Sequence, residues 1–118
     1  MPGWAAYSKG KFLSSGTVPL VKGAPIQDRL RVLYEQLLPT DPDVLVIERI
    51  RGSMAHEFLH WSVGVTIAAC RPVILIEMPI ATWKKYVGKN HKKGDEADAR
   101  AIGDTLLYHA GRVVSERA

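Results

Sequence analysis

The sequence predicts a small α/β domain in which an N-terminal hairpin is followed by strands and helices around a buried parallel pair. Three observations predict it. Two short runs, VLVIE at 44–48 and VILIE at 73–77, are almost wholly aliphatic, as strands covered on both faces are. A helix-length segment separates them, and strand, helix, strand at that spacing is a right-handed crossover between parallel neighbours. The 118-residue length, with 47% hydrophobic and 24% charged residues, is that of one globular domain, 1–118, with a single core.

The elements follow in order. Trp4 to Ser8 and Lys11 to Val18 flank Lys9-Gly10, a turn signal, and are expected to pair as a hairpin. Gly23 to Pro25 breaks the chain. From Asp28 to Leu38, Leu30, Leu33, Tyr34 and Leu37 recur at helical spacing. Pro39-Thr40-Asp41-Pro42 ends that helix and delivers the chain to the first buried strand, which stops on the carboxylate of Glu48. Arg49-Ile50-Arg51-Gly52 is a basic turn, and Ser53 is placed to cap a helix over 54–70. Pro72 stops this helix, and the second buried strand ends on Glu77. Residues 81–94 are a basic, loop-like stretch carrying Trp83, Lys84, Lys85, Tyr86, Lys89, His91, Lys92 and Lys93. A last helix is expected from Asp95 to near Val114, with Ala99, Ile102 and Leu106 on the face of Asp95 and Asp98, packed on the sheet.

Composition narrows the functional classes. Sixteen Lys and Arg against 12 Asp and Glu give +4, which suits a polyanionic partner. The single cysteine, Cys70, has no internal disulfide partner and implies a reducing compartment. At the end of an apolar helix it reads as a small buried thiol rather than a nucleophile. Neither a signal peptide nor an apolar run of spanning length is visible, so a soluble cytoplasmic protein, with no membrane partner, is expected.

Chemistry concentrates in KKGDEADARAIG, residues 92–103. Asp95 and Asp98 are three apart at a helix start and share a face. If the strand ending at Glu48 meets that helix start, three carboxylates converge. Like charges that close raise one another's pKa and destabilise the fold unless a cation neutralises them. Oxygen-only ligands of this kind suit Mg²⁺, with Mn²⁺ as the alternative. The expectation is a metal-dependent phosphodiesterase site. Each piece alone has a plainer reading: Asp95 as a helix cap, Asp98 complementing the helix dipole, Glu48 as a strand end reaching solvent. Their combination favours the site. Glu77 ranks below Glu48 as a ligand, because a neighbouring strand end explains it. His56 and His60 share a helix face, but HEFLH has no downstream zinc ligand, and that helix reads as a packing surface. The lysines beside the acids are of the kind that hold a phosphate backbone, the plainer alternative being a solvated loop.

The element order resembles an RNase H-like mixed sheet flanked by helices. The residues resemble RuvC-like Holliday junction resolvases of the short phage type. The likeness lies in Gly3-Trp4-Ala5, in Pro42-Asp43 leading into VLVIE, in Gly64 within the middle helix, in Pro79 to Lys85, in Gly88-Lys89, and in Asp95-Glu96-Ala97-Asp98-Ala99. The resemblance implies a crossover-junction endodeoxyribonuclease of DNA recombination and repair that binds Mg²⁺ through carboxylates and cuts branched DNA as a homodimer. By position it implies Glu48, Asp95 and Asp98 as catalytic metal ligands. Lys84, Lys85, Lys89, Lys92 and Lys93, with Arg51, would be nucleic-acid contacts. The helix over 54–70 would be the dimer interface. The family also opens with a central strand of the type LGIDxGT, whose Asp is a fourth ligand. That strand is expected to be missing here, through truncation, a late start or descent to a noncatalytic form. A noncatalytic nucleic-acid-binding module and a RuvC-related RNA nuclease are the alternatives.

Overall fold

Strand β1 (Gly3–Ser8) turns through Lys9 and Gly10 into β2 (Lys11–Thr17). Both turn residues have positive φ, 51° and 76°, the conformation a two-residue hairpin turn needs to match the twist of its strands. The strands pair antiparallel from Gly3↔Thr17 to Ser8↔Lys11, with an irregularity between Ala6 and Tyr7. Ala6 faces Ser14 and Tyr7 faces Phe12, so Leu13 is the extra, bulged residue, and it is exposed.

The computed structural model describes residues 2–49, 57–88 and 91–117, with side chains through residue 110. The chain divides into two compact units, Met1–Thr17 with Met78–Ala118, and Val18–Glu77. Among the described residues the strands form two two-stranded sheets, β1 with β2 and β3 with β4. No described helix is long and apolar enough to cross a membrane.

In the unit Val18–Glu77, helix α1 (Ile26–Leu37) begins two residues before the expected Asp28. Pro25 causes this: its carbonyl accepts from the backbone N–H groups of Asp28 and Arg29 at 3.0 and 3.1 Å, so Asp28 falls inside the first turn. A short 3₁₀ turn (Leu38–Thr40) follows, and β3 (Val44–Glu48) has the expected bounds. Helix α2 (Glu57–Cys70) packs along α1. Its expected first residues and the Ser53 cap lie outside the described residues. Leu33, Ala69 and Cys70 are buried here, together with Ser62, whose hydroxyl donates to the Phe58 carbonyl at 2.7 Å. Cys70 is 2% exposed, with Thr40 Oγ1 3.8 Å from its sulfur, as a buried structural thiol should be.

Strand β4 (Ile74–Met78) starts one residue later than expected. The Asp43 carbonyl accepts from Val73 N and Ile74 N at 2.9 and 3.0 Å, joining the two strand starts. Arg49 and Glu77 meet at the other ends, so β3 and β4 run parallel, as predicted. The predicted burial on both faces does not hold. No residue of β3 is buried, and Val44, Ile74 and Leu75 are 42%, 52% and 42% exposed. Aliphatic composition records a capacity for burial, and two strands by themselves cannot enclose both of their faces.

In the other unit the basic stretch is not a continuous loop: helix α3 (Ile80–Val87) occupies its first half. Its inward residue is Trp83, 3% exposed. Helix α4 (Asp95–Arg117) lies against β1 and α3. Two glycines permit the close approach to the hairpin. A side chain at Gly3 would collide with the Asp95 carbonyl, and one at Gly103 with the Tyr7 ring. The buried line of α4 is Ala101, Ile102 and Thr105, in register with Asp98. Ala99 and Leu106, expected on that line, are only half-buried. Thr105 takes the core position because its hydroxyl is satisfied by the Ala101 carbonyl at 2.6 Å.

Candidate functional site

Asp95, Glu96 and Asp98 occupy the first turn of α4. Gly94, not Asp95, takes the capping place. Its φ is 127° and its carbonyl accepts the Asp98 N–H at 2.9 Å, the first bond of the helix. Ser15 Oγ of the hairpin donates to Glu96 Oε2 at 2.7 Å. Asp98 Oδ1 accepts from His91 Nε2, also at 2.7 Å, and the imidazole meets the buried Trp83 ring edge-on, centroids 5.4 Å apart. The Asp98 carboxylate is thereby oriented by a histidine that is itself held by the core.

The described lysines of the basic stretch belong to this same unit. Lys84 and Lys85 lie in the last turn of α3, and Lys92 and Lys93 on the approach to α4, all four exposed. Lys84 Nζ hangs 5.8 Å from the centre of the Trp83 ring. Trp83, read in the sequence as part of the basic stretch, is a core residue. Lys89 and Arg51, both expected nucleic-acid contacts, lie outside the described residues, as does His56.

Glu48 ends β3 in the other unit. It lines a cavity of about 170 Å³ together with Ile47, His60, Val63 and Glu77. Glu77 Oε2 is 3.7 Å from Arg49 Nε, both groups half-exposed. The two strand-end carboxylates and one histidine of the rejected zinc pair therefore share a cavity, which the sequence did not indicate. Taken by itself, neither unit gathers three His, Cys, Asp or Glu side chains into a metal-holding group among the described residues.

The hairpin and α4 are tied by a second polar cluster. The Tyr7 hydroxyl lies 2.8 Å from Asp104 Oδ1 and 2.9 Å from the Arg100 carbonyl. The Arg100 guanidinium stacks 3.9 Å over the Phe12 ring and approaches Asp104 Oδ2 at 3.9 Å. Burial, and then the hydrogen bond to Asp104, push the Tyr7 phenol well above its ordinary value. None of this had a sequence signal, because strand and helix residues some ninety positions apart carry no shared periodicity. His91 was missed for a similar reason: a bent linker, not a helical repeat, brings it back to Asp98.

No protein-family model and no curated protein sequence matches the chain. Solved structures do resemble it in three dimensions, among them two of a RuvC protein. Thermus thermophilus RuvC in complex with a Holliday junction substrate aligns with a TM-score of 0.66 at 14% identity, covering 85% of this chain and 80% of that one. A second Thermus thermophilus RuvC structure aligns with a TM-score of 0.67, also at 14% identity, covering 85% and 79%. The chain has the RuvC-like fold, an α/β arrangement of the RNase H-like class.

Proposed function

We propose that the protein is a metal-dependent, structure-selective endonuclease that acts on branched DNA, the four-way junction foremost. The observation that carries this reading is the acidic first turn of α4, with Asp98 oriented by His91 and exposed lysines in the same unit, on a RuvC-like fold. The function of a fold does not follow from the fold alone, so the residues bear the weight.

Glu48, Asp95 and Asp98 are the proposed ligands, and their hard oxygen donors fit Mg²⁺ or Mn²⁺. Such ions supply charge neutralisation at a scissile phosphate and a more acidic bound water. The His91 contact holds the Asp98 carboxylate in one orientation by donating to it. The lysines bind the phosphate backbone, which positions the substrate without reading bases, so shape governs recognition. A homodimer supplies two symmetric cuts. Its proposed interface is α2, where Leu59 and Trp61 are 45% and 47% exposed and Gly64 leaves open space above the helix.

The test is Mg²⁺-dependent cleavage of a labelled four-way junction, with linear duplex as control. It is run on the chain, on the chain with an LGIDxGT-type strand fused ahead of Gly3, and on the fused form carrying Asp98→Asn. Junction cleavage abolished by Asp98→Asn supports the enzyme. Junction binding without cleavage in every form leaves a noncatalytic binding module, and cleavage confined to RNA substitutes the related ribonuclease.

A further inference from the structure

Helix α3, the residues leading into α4 and the first turns of α4 border an open groove of about 550 Å³ that contains none of the proposed metal ligands. We propose that this groove seats one unpaired nucleotide of a nucleic-acid strand. Its size is within the range of about 300–1,000 Å³ typical of small-ligand sites. Its walls have the complementary chemistry. Tyr86 presents an aromatic ring that is 43% exposed, backed by Tyr108 at a centroid distance of 5.1 Å and a tilt of 39°. Ala97 and Ala101, one helical turn apart, line the groove and leave room for a planar base. Lys92 lines it as well and supplies positive charge for the phosphate, while Arg100, also in the lining, is already stacked on Phe12 and sets its charge against Asp104. The one carboxylate in the lining, Asp104, is already engaged by the Tyr7 hydroxyl and by Arg100, so it does not repel an anion as a bare acid would.

An aromatic face beside cations is how single strands are bound without sequence preference: bases stack, and the charges follow the backbone. Within a duplex, bases offer only their edges to a protein, and a ring face becomes accessible only once a base is unstacked. The groove therefore selects a strand with at least one unpaired nucleotide, such as the branch point or a displaced arm. His91 lines this groove while donating to Asp98, so a nucleotide seated here lies next to the acidic turn. The binding site does not depend on the carboxylates and stands whether or not the chain cuts DNA.

The experiment is fluorescence anisotropy with a labelled oligothymidylate of about ten nucleotides, within the site sizes of known single-strand-binding folds. Duplex and four-way junction are measured in parallel. Tyr86→Ala is expected to weaken single-strand binding about tenfold, Tyr86→Phe to restore it, and Ala97→Leu, which fills the groove from its alanine side, to weaken it about as much. Lys92→Ala lowers the salt dependence by about one counterion. Circular dichroism melts establish that each variant is folded. Folded Tyr86→Ala and Ala97→Leu chains that bind the single strand as the parent does overturn the proposal. So does thymidine monophosphate competing as effectively as the strand, which would make this a free-nucleotide site. Loss of junction preference with single-strand binding intact counts against the nuclease reading alone and supports the groove.

Discussion

His91 Nε2 donates to Asp98 Oδ1 at 2.7 Å, and the same imidazole rests edge-on against buried Trp83. A carboxylate fixed in this way is preorganised: it does not have to choose an orientation when a cation arrives. Partners that orient a ligand are commonly worth about 10–100-fold in metal affinity. His91→Ala should therefore raise the Mn²⁺ concentration needed for half-saturation by that order, read by electron paramagnetic resonance on the DNA-free chain. His91→Gln, which keeps an N–H donor, should recover part of it. A fall in melting temperature with unchanged Mn²⁺ binding would reduce His91 to a packing residue.

Tyr7 holds the hairpin to α4 through Asp104 and the Arg100 carbonyl. Tyr7→Phe deletes the donor and leaves a half-exposed carboxylate with Arg100 alone; a hydrogen bond to a charged group contributes about 1.5–3 kcal/mol, and partial exposure sets the expectation at the low end. The phenol's folded-state pKa lies above its ordinary value near 10. The sign follows: the folded chain keeps a proton that the unfolded chain gives up, so this stabilisation is complete below the unfolded pKa and is lost as pH rises beyond it. Thermal melts from pH 8 to 11, about the span that brackets an ordinary tyrosine, should show the parent losing stability more steeply than Tyr7→Phe at the alkaline end. Parallel curves would mean that Tyr7 does not couple to folding.

Gly103 lies under the Tyr7 ring, and a side chain there would meet the ring at less than contact distance. In an exposed helix Gly→Ala stabilises by about 1 kcal/mol. At this position overpacking opposes it, and forced insertions of this kind cost about 1–3 kcal/mol. Gly103→Ala should therefore be neutral to destabilising by denaturant titration, and the double variant Gly103→Ala with Tyr7→Ala should regain the helix-propensity gain. Gly64 is the contrasting case: open space surrounds it, so Gly64→Ala should stabilise the isolated chain.

Much of the fold was legible because local rules governed it. Lys9-Gly10 specified its turn, VLVIE its strand, and the Leu30–Leu37 repeat its helix, each element agreeing with the tertiary contacts around it. Where reading failed, a nonlocal term had won. The 80–87 segment was masked by its lysines, since Lys84 and Lys85 look loop-like beside Lys89 to Lys93 while Trp83 carries the packing that makes a helix. Thr105 sits in the core through a hydroxyl bond that no hydropathy pattern registers. For the site, the spacing of Asp95 and Asp98 was enough to put both in one helical turn, whereas the His91 contact and the cavity shared by Glu48, His60 and Glu77 depend on how separate elements meet.

Trp61 is the residue on which the proposed dimer can be decided. It stands on α2 at 47% exposure, near Leu59 at 45%, with Gly64 one turn further on and unobstructed. An indole left this open on a helix is the kind of aromatic anchor that dominates interfaces, and single truncations at such positions commonly cost more than 2 kcal/mol of about 8 for a micromolar complex. Sedimentation equilibrium should give a mass near twice 13.1 kDa at high concentration, and Trp61→Arg should shift the chain to monomer while its melting temperature at low concentration stays near the parent's. Single-subunit mass for the parent at every concentration would remove the dimer. The exposed indole would then be a surface for another partner, and paired cutting of a junction could not come from this chain alone.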